Sequence, residues 1–197
     1  MRERSPRPSF DVRRTSAGVT VSSVTSSQTP RRLIVMRHAK AEPYAADDHS
    51  RSLIARGRAA AQDAGKHLAL IEAVPDHAVV SSARRASQTW QAVAKACGST
   101  AEPEFDETVF HGGIEVVLDR LRQVPDEART VAFVGHNPLA AYLCQLLDDG
   151  EGEPAAMRGL LRGFPAGALA VLEVHSSWRE LGPETGRVVD FYVGSGG

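Results

Sequence analysis

Short, uninterrupted apolar runs constrain the fold of this chain more than any other feature. Such runs occur at residues 33–36, 78–80 and 131–134, and segments of helical periodicity lie between them. A strand that is apolar at every position is typical of a sheet buried on both faces, and strands that alternate with helices favour parallel pairing. We therefore predict an α/β fold with a mainly parallel central sheet and helices on both faces. The 197 residues suffice for one compact domain.

The remaining segments complete this pattern. The spacing of apolar residues predicts four helices, at residues 55–72, 84–97, 114–124 and 138–147. Gly98 is a typical helix stop, a short third strand ends near Phe105, and two strands at 168–174 and 188–193 close the sheet. Because ligands bind beyond the carboxyl ends of parallel strands, functional side chains are expected just after each strand.

The first 30 residues differ in composition from the rest of the chain. They are rich in Ser, Thr, Arg and Pro and contain few large apolar side chains. Burial within such a segment cannot offset the entropy lost on ordering, so we predict that residues 1–30 are disordered. A transit peptide, which is also rich in Arg and Ser, is the alternative. Residues 31–197 form the predicted domain.

Bulk composition excludes several classes of function. Apolar residues make up 42% of the chain, charged residues make up 24%, and the formal net charge is -1, so we expect no nucleic-acid partner and no membrane partner. No apolar run approaches the roughly 20 residues that span a bilayer. The two cysteines, Cys97 and Cys144, lie far apart in apolar helical segments and are predicted to be buried free thiols in a cytoplasmic protein.

Three strand ends carry side chains suited to phosphate chemistry. Arg37 and His38 follow the first strand, Arg85 lies just after the second, and His136 follows the strand at 130–134. Two guanidinium groups can hold a phosphoryl group with paired, charge-assisted hydrogen bonds. A neutral imidazole can attack phosphorus, and a second imidazole can donate to the oxygens as charge develops. Their convergence in a chain with seven histidines predicts a phosphate-handling enzyme whose nucleophile is His38.

The same segments resemble the motifs of a known family. Residues 33–39 (LIVMRHA) are similar to the Arg-His-Gly signature of the histidine phosphatase superfamily, and residues 134–138 (VGHNP) are similar to its second histidine segment. Residues 81–89 (SSARRASQT) resemble its middle motif, with Arg85 in the arginine position. The short chain and residues 52–57 (SLIARG) look most like the SixA-type phosphohistidine phosphatases. The resemblance extends from about residue 32 to residue 193 and implies a phosphoglycerate mutase-like fold.

The resemblance implies a role for each residue at the strand ends. His38 would be phosphorylated, Arg37 and Arg85 would bind the phosphoryl group, and His136 would complete the pocket. Water would then attack the phosphorylated His38 and release phosphate, with no metal ion and no cofactor. Asn137 would contact the substrate or support His136, or alternatively its side chain would cap the next helix. The implied partner is a phosphohistidine protein or a small phosphorylated molecule.

Two departures from the family pattern concern Ala39 and the general acid. Ala39 stands where glycine is most often found, and we expect its backbone amide to remain available as the glycine's would be. Many relatives carry a glutamate that protonates the leaving oxygen. Glu107, just after the third strand, is the first candidate for this acid, and Asp48 and Asp47 are the next. A leaving group that needs little acid help, such as the imidazole of phosphohistidine, would suit an enzyme without a strong acid.

Two other functions fit the same residues. A catalytically idle module would keep the pocket and bind phosphate or a phosphoprotein. A phosphoglycerate mutase-like phosphotransferase would need a large insertion over the substrate, for which this chain has little room. His111, beside two glycines, could line the pocket, whereas the histidines outside the motifs are expected to lie at the surface without partners: His49, His67, His77 and His175.

Overall fold

A computed structural model describes residues 30–195 of the chain, in which strands and helices alternate. The strands are β1 (Arg31–Arg37), β2 (His77–Ser81), β3 (Pro103–Asp106), β4 (Thr130–Gly135), β5 (Ala168–Val174) and β6 (Gly186–Val193). The α-helices are α1 (Ala55–Leu70), α2 (Arg84–Cys97), α3 (Thr108–His111), α4 (Ile114–Arg122), α5 (Leu139–Leu147) and α6 (Pro154–Leu161). Apart from Pro30, the segment predicted to be disordered lies outside the described residues.

The six strands form one sheet in the order β3-β2-β4-β1-β5-β6. Strands β3, β2, β4 and β1 pair in parallel, which places the carboxyl ends of all four at one edge of the sheet. Strands β5 and β6 pair antiparallel and extend the sheet beyond β1. The prediction of a mainly parallel sheet with helices on both faces is confirmed.

Strand β1 divides its side chains between two cores. Leu33 and Val35 belong to the cluster that packs under α4, α5 and α6, and Ile34 and Met36 belong to the cluster under α1 and α2. All four are at most 1% exposed, because successive side chains of a strand point to opposite faces and both faces are covered. Each such side chain contributes roughly 1.5–3 kcal/mol through burial, which holds the strand ends in place.

Helices α1 and α2 pack closely, and α2 begins three residues after β2. A β-carbon added at Gly65 of α1 would lie 2.5 Å from the carbonyl oxygen of Val93, so glycine permits the close approach of the two helices. Gly98 caps the carboxyl end of α2 and has the left-handed φ of 75° expected of a helix stop. This packing fixes the first turn of α2, which carries Arg85.

Two helices of the structure were not predicted. Helix α3 has four residues, too few for apolar periodicity to be visible. Helix α6 begins at Pro154, a residue favoured at the first helical position, and lies outside every predicted helix and strand. Trp178 is fully buried, and its indole nitrogen donates to the carbonyl of Ala128 at 2.9 Å. Within residues 30–195, no helix has both the length and the apolar character needed to cross a bilayer.

Candidate active site

The register of two strands brings His38 and His136 together. Strands β1 and β4 pair in parallel, with their last residues, Arg37 and Gly135, opposite each other. The residue that follows each strand is a histidine. The backbone amide of His38 donates to the carbonyl of Gly135 at 2.9 Å, which extends the pairing by one more step. The two imidazole rings lie 5.1 Å apart between centroids.

Arg85 joins the two histidines from the first turn of α2. Its side chain is buried, and its Nε donates to Nε2 of His38 at 3.2 Å. Its Nη2 lies 3.4 Å from Nδ1 of His136. One guanidinium group therefore faces both rings with two parallel N–H donors, the arrangement that binds a phosphoryl oxygen pair.

The hydrogen bonds of His38 fix its tautomer. Its Nδ1 lies 2.8 Å from the carbonyl oxygen of Ala39, and because a carbonyl can only accept, Nδ1 carries the proton. The lone pair is therefore on Nε2, which faces Arg85. Burial lowers the pKa of His38 to about 4, and the positive charges of Arg85 and Arg37 lower it further against the opposing Ala39 hydrogen bond. At neutral pH the ring is uncharged and its Nε2 is a competent nucleophile.

His136 is held by a buried hydroxyl. Its Nε2 lies 2.8 Å from Oγ of Ser81, the last residue of β2. Because the Arg85 guanidinium can only donate to Nδ1, Nε2 carries the proton and donates to Ser81. Burial lowers the pKa of His136 to about 3, and the charges of His38 and Arg85 act in the same direction. Ser81 is fully buried and was not singled out in the sequence, although it ends a strand beside His136.

Arg37 and Asn137 meet at one carbonyl group. Nη1 of Arg37 donates to the carbonyl oxygen of Phe164 at 2.9 Å, and Nδ2 of Asn137 donates to the same oxygen at 2.8 Å. Within residues 30–195, the Nε of Arg37 is buried and has no hydrogen-bond partner, which leaves a donor free for an anion. Helix α5 begins at Leu139 without a side-chain cap, so the interpretation of Asn137 as a helix cap is wrong.

Asp48 lies in the site, but as the ionised partner of arginine. Its carboxylate accepts from Nη2 of Arg85 at 2.9 Å, and its backbone carbonyl accepts from Nη1 at 2.6 Å. Arg51 contacts the same carboxylate at 2.7 Å. Partial burial would raise the pKa of Asp48, but the Arg51 hydrogen bond and the Arg85 charge outweigh it and lower the pKa. A carboxylate with a lowered pKa holds no proton at neutral pH, which argues against its prediction as a general acid.

The other two candidates for the general acid are not brought to the histidines. Glu107 is exposed just before α3, and within the described residues its carboxylate makes no hydrogen bond or ion pair. The carboxylate of Asp47 accepts from the backbone amide of Ser50 at 2.9 Å. The role of Glu107 as the acid stays a prediction.

Thr89 connects the segment after His38 to α2. Its Oγ1 accepts from the backbone amide of Ala39 at 3.0 Å and donates to the carbonyl of Arg85 at 2.7 Å. The expectation that the Ala39 amide remains available is therefore wrong, because that amide is already paired. Thr89 is fully buried. The Thr of the middle motif is the sequence signal that could have identified it.

Phe110 of α3 forms one wall of the site. Its ring lies edge-on to His136 at 5.4 Å, and the guanidinium carbon of Arg85 lies 5.5 Å from its centroid. Its centroid lies 4.4 Å from that of the His111 ring and 5.2 Å from that of the His49 ring. Phe110 therefore lies between these two histidines and the site. The aromatic ring covers part of His136, and such burial favours the neutral form of an imidazole.

The histidines expected to lack partners do have them. His49 lies 2.9 Å from the hydroxyl of Ser82. The remaining three pair with carboxylates, His67 with Asp190 at 2.6 Å, His77 with Glu104 at 3.2 Å and His175 with Asp149 at 3.5 Å. These pairs could not be predicted, because the two members of each pair are far apart in the sequence and meet only in the folded chain. Among residues 30–195, no three His, Cys, Asp or Glu side chains are grouped closely enough to hold a metal ion.

Comparison with known proteins identifies the family. Residues 33–115 match the model of the histidine phosphatase superfamily (branch 1). An uncharacterized protein of Mycobacterium tuberculosis is 32% identical over 160 residues, which are 80% of this chain and 99% of the relative. A structure assigned as the phosphohistidine phosphatase SixA of Nakamurella multipartitia has a TM-score of 0.75 and 30% identity, covering 85% of this chain and 98% of its own.

A second structure, assigned as SixA of Agrobacterium tumefaciens, has a TM-score of 0.68 and 28% identity and covers 84% of this chain and 99% of its own. The residues matched by the family model include Arg37, His38 and Arg85, and His136 follows them along the chain. The chain therefore belongs to the histidine phosphatase superfamily, as a SixA-type member.

Proposed function

We propose that this protein is a phosphatase that works through a phosphorylated His38. The observation that carries the proposal is the contact between the lone pair of His38 Nε2 and the Nε of Arg85 at 3.2 Å. A neutral nucleophile and a phosphate-binding cation are thereby already placed within reach of one phosphorus atom. The arrangement needs no metal ion, because guanidinium groups supply the positive charge.

In the first step, Nε2 of His38 attacks the phosphorus of the bound substrate. The bond from phosphorus to the leaving group breaks, and the leaving group takes the bonding electron pair. Arg85 and the unpaired Nε of Arg37 donate to the phosphoryl oxygens, which gain charge in the transition state. The proton stays on Nδ1 and is donated in a hydrogen bond to the carbonyl of Ala39. This hydrogen bond stabilises the cationic ring of the phosphorylated intermediate.

In the second step, a water molecule attacks the phosphorus of phosphorylated His38. The bond from nitrogen to phosphorus breaks, inorganic phosphate leaves with the water oxygen, and His38 recovers its lone pair. The water proton passes to solvent or to a phosphoryl oxygen. His136 lies 5.1 Å from His38 between ring centroids, close enough to contact the same phosphoryl oxygens in both steps.

The acidic groups near the site favour a substrate that loses its leaving group easily. Asp48 is ionised in its ion pairs with two arginines, and Glu107 is exposed without a contact to the histidines. We therefore propose phosphohistidine in a protein as the preferred substrate, with an activated small phosphomonoester as the other possibility. The imidazole of phosphohistidine leaves as a neutral ring when its second nitrogen is protonated. The similarity to SixA-type proteins supports this choice.

The two cysteines bear on the location of the protein. Cys97 and Cys144 are free and buried, which is compatible with the reducing cytoplasm.

The decisive experiment combines turnover with trapping of the intermediate. Purified protein is given a chromogenic aryl phosphate in EDTA, beside the His38→Ala variant and the matched control His175→Asn, whose histidine follows β5 at the opposite edge of the sheet. We expect turnover by the parent and the control, loss of at least about a thousandfold in His38→Ala, and an acid-labile, base-stable phosphoryl label on the parent after quenching.

Each contrary result identifies a different error. Turnover that requires a metal ion, or that survives in His38→Ala, contradicts the mechanism. Binding of phosphohistidine peptide without turnover of any phosphate compound favours the idle binding module instead. Transfer of the phosphoryl group to a second substrate in preference to water favours the phosphotransferase. For the substrate, kcat/KM for a phosphorylated histidine phosphotransfer domain is compared with values for sugar and nucleotide phosphates.

A further inference from the structure

A cleft of about 400 Å³ opens beside His38. We call it the basic cleft, because four of the residues that line it are Arg37, Lys40, Arg51 and Arg56. Arg85 and His136 do not line it, so the cleft extends from Arg37 and His38 on the side away from Arg85 and His136. A group bound there would lie next to a phosphoryl group held at His38.

The basic cleft carries positive charge that the free protein does not balance. None of its lining residues is a carboxylate. Arg51 is paired with Asp48, but within the described residues the side chains of Lys40 and Arg56 form no ion pair and no hydrogen bond. Both are exposed, and long cationic side chains on the surface are often solvated. Their placement beside Arg37 and Arg51 is what separates them from an ordinary surface charge.

The start of α1 adds to this imbalance. Its first turn contains Arg56 and no acidic residue. The amino end of a helix carries partial positive charge, so anionic residues are favoured there and cationic residues are disfavoured. An arginine in this position is electrostatically unfavourable in the free protein and becomes favourable when an anion occupies the cleft.

The walls of the basic cleft are fixed by backbone contacts. The amide of Ile54 donates to the carbonyl of Lys40 at 3.1 Å, and the amide of Glu42 donates to the carbonyl of Ser52 at 2.8 Å. A β-carbon at Gly57 would collide with the Lys40 carbonyl, so glycine allows the segment after His38 to lie against α1. Lys40 and Arg56 are therefore held on facing walls by main-chain geometry.

We propose that the basic cleft binds a second anionic group of the substrate, a carboxylate or phosphate carried by the leaving group. The inference rests on the proposed function, since it concerns the part of the substrate that departs when His38 is phosphorylated. The anion could belong to a small molecule or to an acidic side chain beside the phosphohistidine of a polypeptide. Lys40 and Arg56 recognise it, while Arg37 lies between it and the phosphoryl group.

The test measures a preference rather than a rate. One substrate pair is 4-carboxyphenyl phosphate and 4-carbamoylphenyl phosphate, and the other is a phosphohistidine peptide with Glu or Gln beside the modified residue. The readout is the ratio of kcat/KM for the anionic and the neutral member of each pair. We expect the double variant Lys40→Gln/Arg56→Gln to reduce this ratio by about tenfold, as expected for the loss of two partly exposed ion pairs.

Arg58→Gln is the matched control, because Arg58 is an exposed arginine of the same helix that does not line the cleft. It should leave the ratio at its parent value. A fall in the ratio for the aryl pair alone assigns a small-molecule anion, and a fall for the peptide pair assigns an acidic polypeptide. An unchanged ratio in both pairs overturns the inference while leaving the phosphatase proposal intact. If the parent protein hydrolyses no member of either pair, the proposed function itself fails and the inference fails with it.

Discussion

The two neutral histidines make the stability of this protein sensitive to mild acid. Burial lowers the pKa of His38 to about 4 and that of His136 to about 3, whereas histidines in an unfolded chain titrate near about 6.5. Between these values the unfolded state binds more protons than the folded state. The free energy of unfolding is therefore highest above about pH 6.5 and falls as the pH decreases toward the folded-state pKa values.

The size of the effect follows from the two pKa values. Integration from pH 7 to pH 4.5 gives a loss of about 2 kcal/mol for each histidine. Solvent reaches part of both rings and reduces this amount, so we expect a loss of about 2–4 kcal/mol for the pair. Against a total stability of about 5–15 kcal/mol, a change of this size is readily measured.

The assay is urea unfolding of the parent protein and of the double variant His38→Asn/His136→Asn at about pH 7 and about pH 4.5. Carboxylates also contribute to acid sensitivity, so the informative quantity is the difference between the two proteins. The parent should lose about 2–4 kcal/mol more than the double variant, and the control His111→Asn should behave like the parent. Equal losses in parent and double variant would refute the assignment of two partly buried, neutral rings.

Three substitutions test the contacts that position the site. Asp48→Asn should reduce kcat/KM for an aryl phosphate by about tenfold with an unchanged urea midpoint, because Arg85 loses its anionic partner, whereas Asp47→Asn should match the parent. Thr89→Val leaves the buried Ala39 amide without an acceptor and should lower the free energy of unfolding by about 1–3 kcal/mol, and Thr89→Ser should restore most of it. Ser81→Ala should reduce kcat by about tenfold with little change in KM, and an unaltered kcat would contradict its role in orienting His136.

The sheet and its edge could be predicted because they depend on local patterns. An apolar run identifies each buried strand, and parallel pairing requires the residues after β1 and β4 to be neighbours. His38 and His136 are close because β1 and β4 are neighbours and because Arg37 pairs with Gly135. Arg85 was found in the same way, since α2 begins three residues after β2.

The residues that were missed or given the wrong role act through side chains whose partners are distant in sequence. Asp48 reaches Arg85 from a loop, across 37 positions, and no periodicity governs where a loop carboxylate points. Phe110 belongs to a four-residue helix with no visible pattern. The position of Asp48 in the loop after His38 predicted it as a candidate general acid, whereas its lowered pKa depends on the two arginines that the fold places beside it.

The burial and the nearby charges that keep the histidines neutral also bear on what happens when a substrate binds. Burial, and then the charges of His38 and Arg85, disfavour a proton on His136 in the free protein. A bound phosphoryl group brings negative charge to the same position, and an adjacent opposite charge raises the pKa of an imidazole. Nδ1 of His136 can then carry a proton and donate to a phosphoryl oxygen, and Ser81 permits the change because its hydroxyl can accept from Nε2 or donate to it. We propose that the substrate thereby converts His136 from an acceptor into a donor for the transition state.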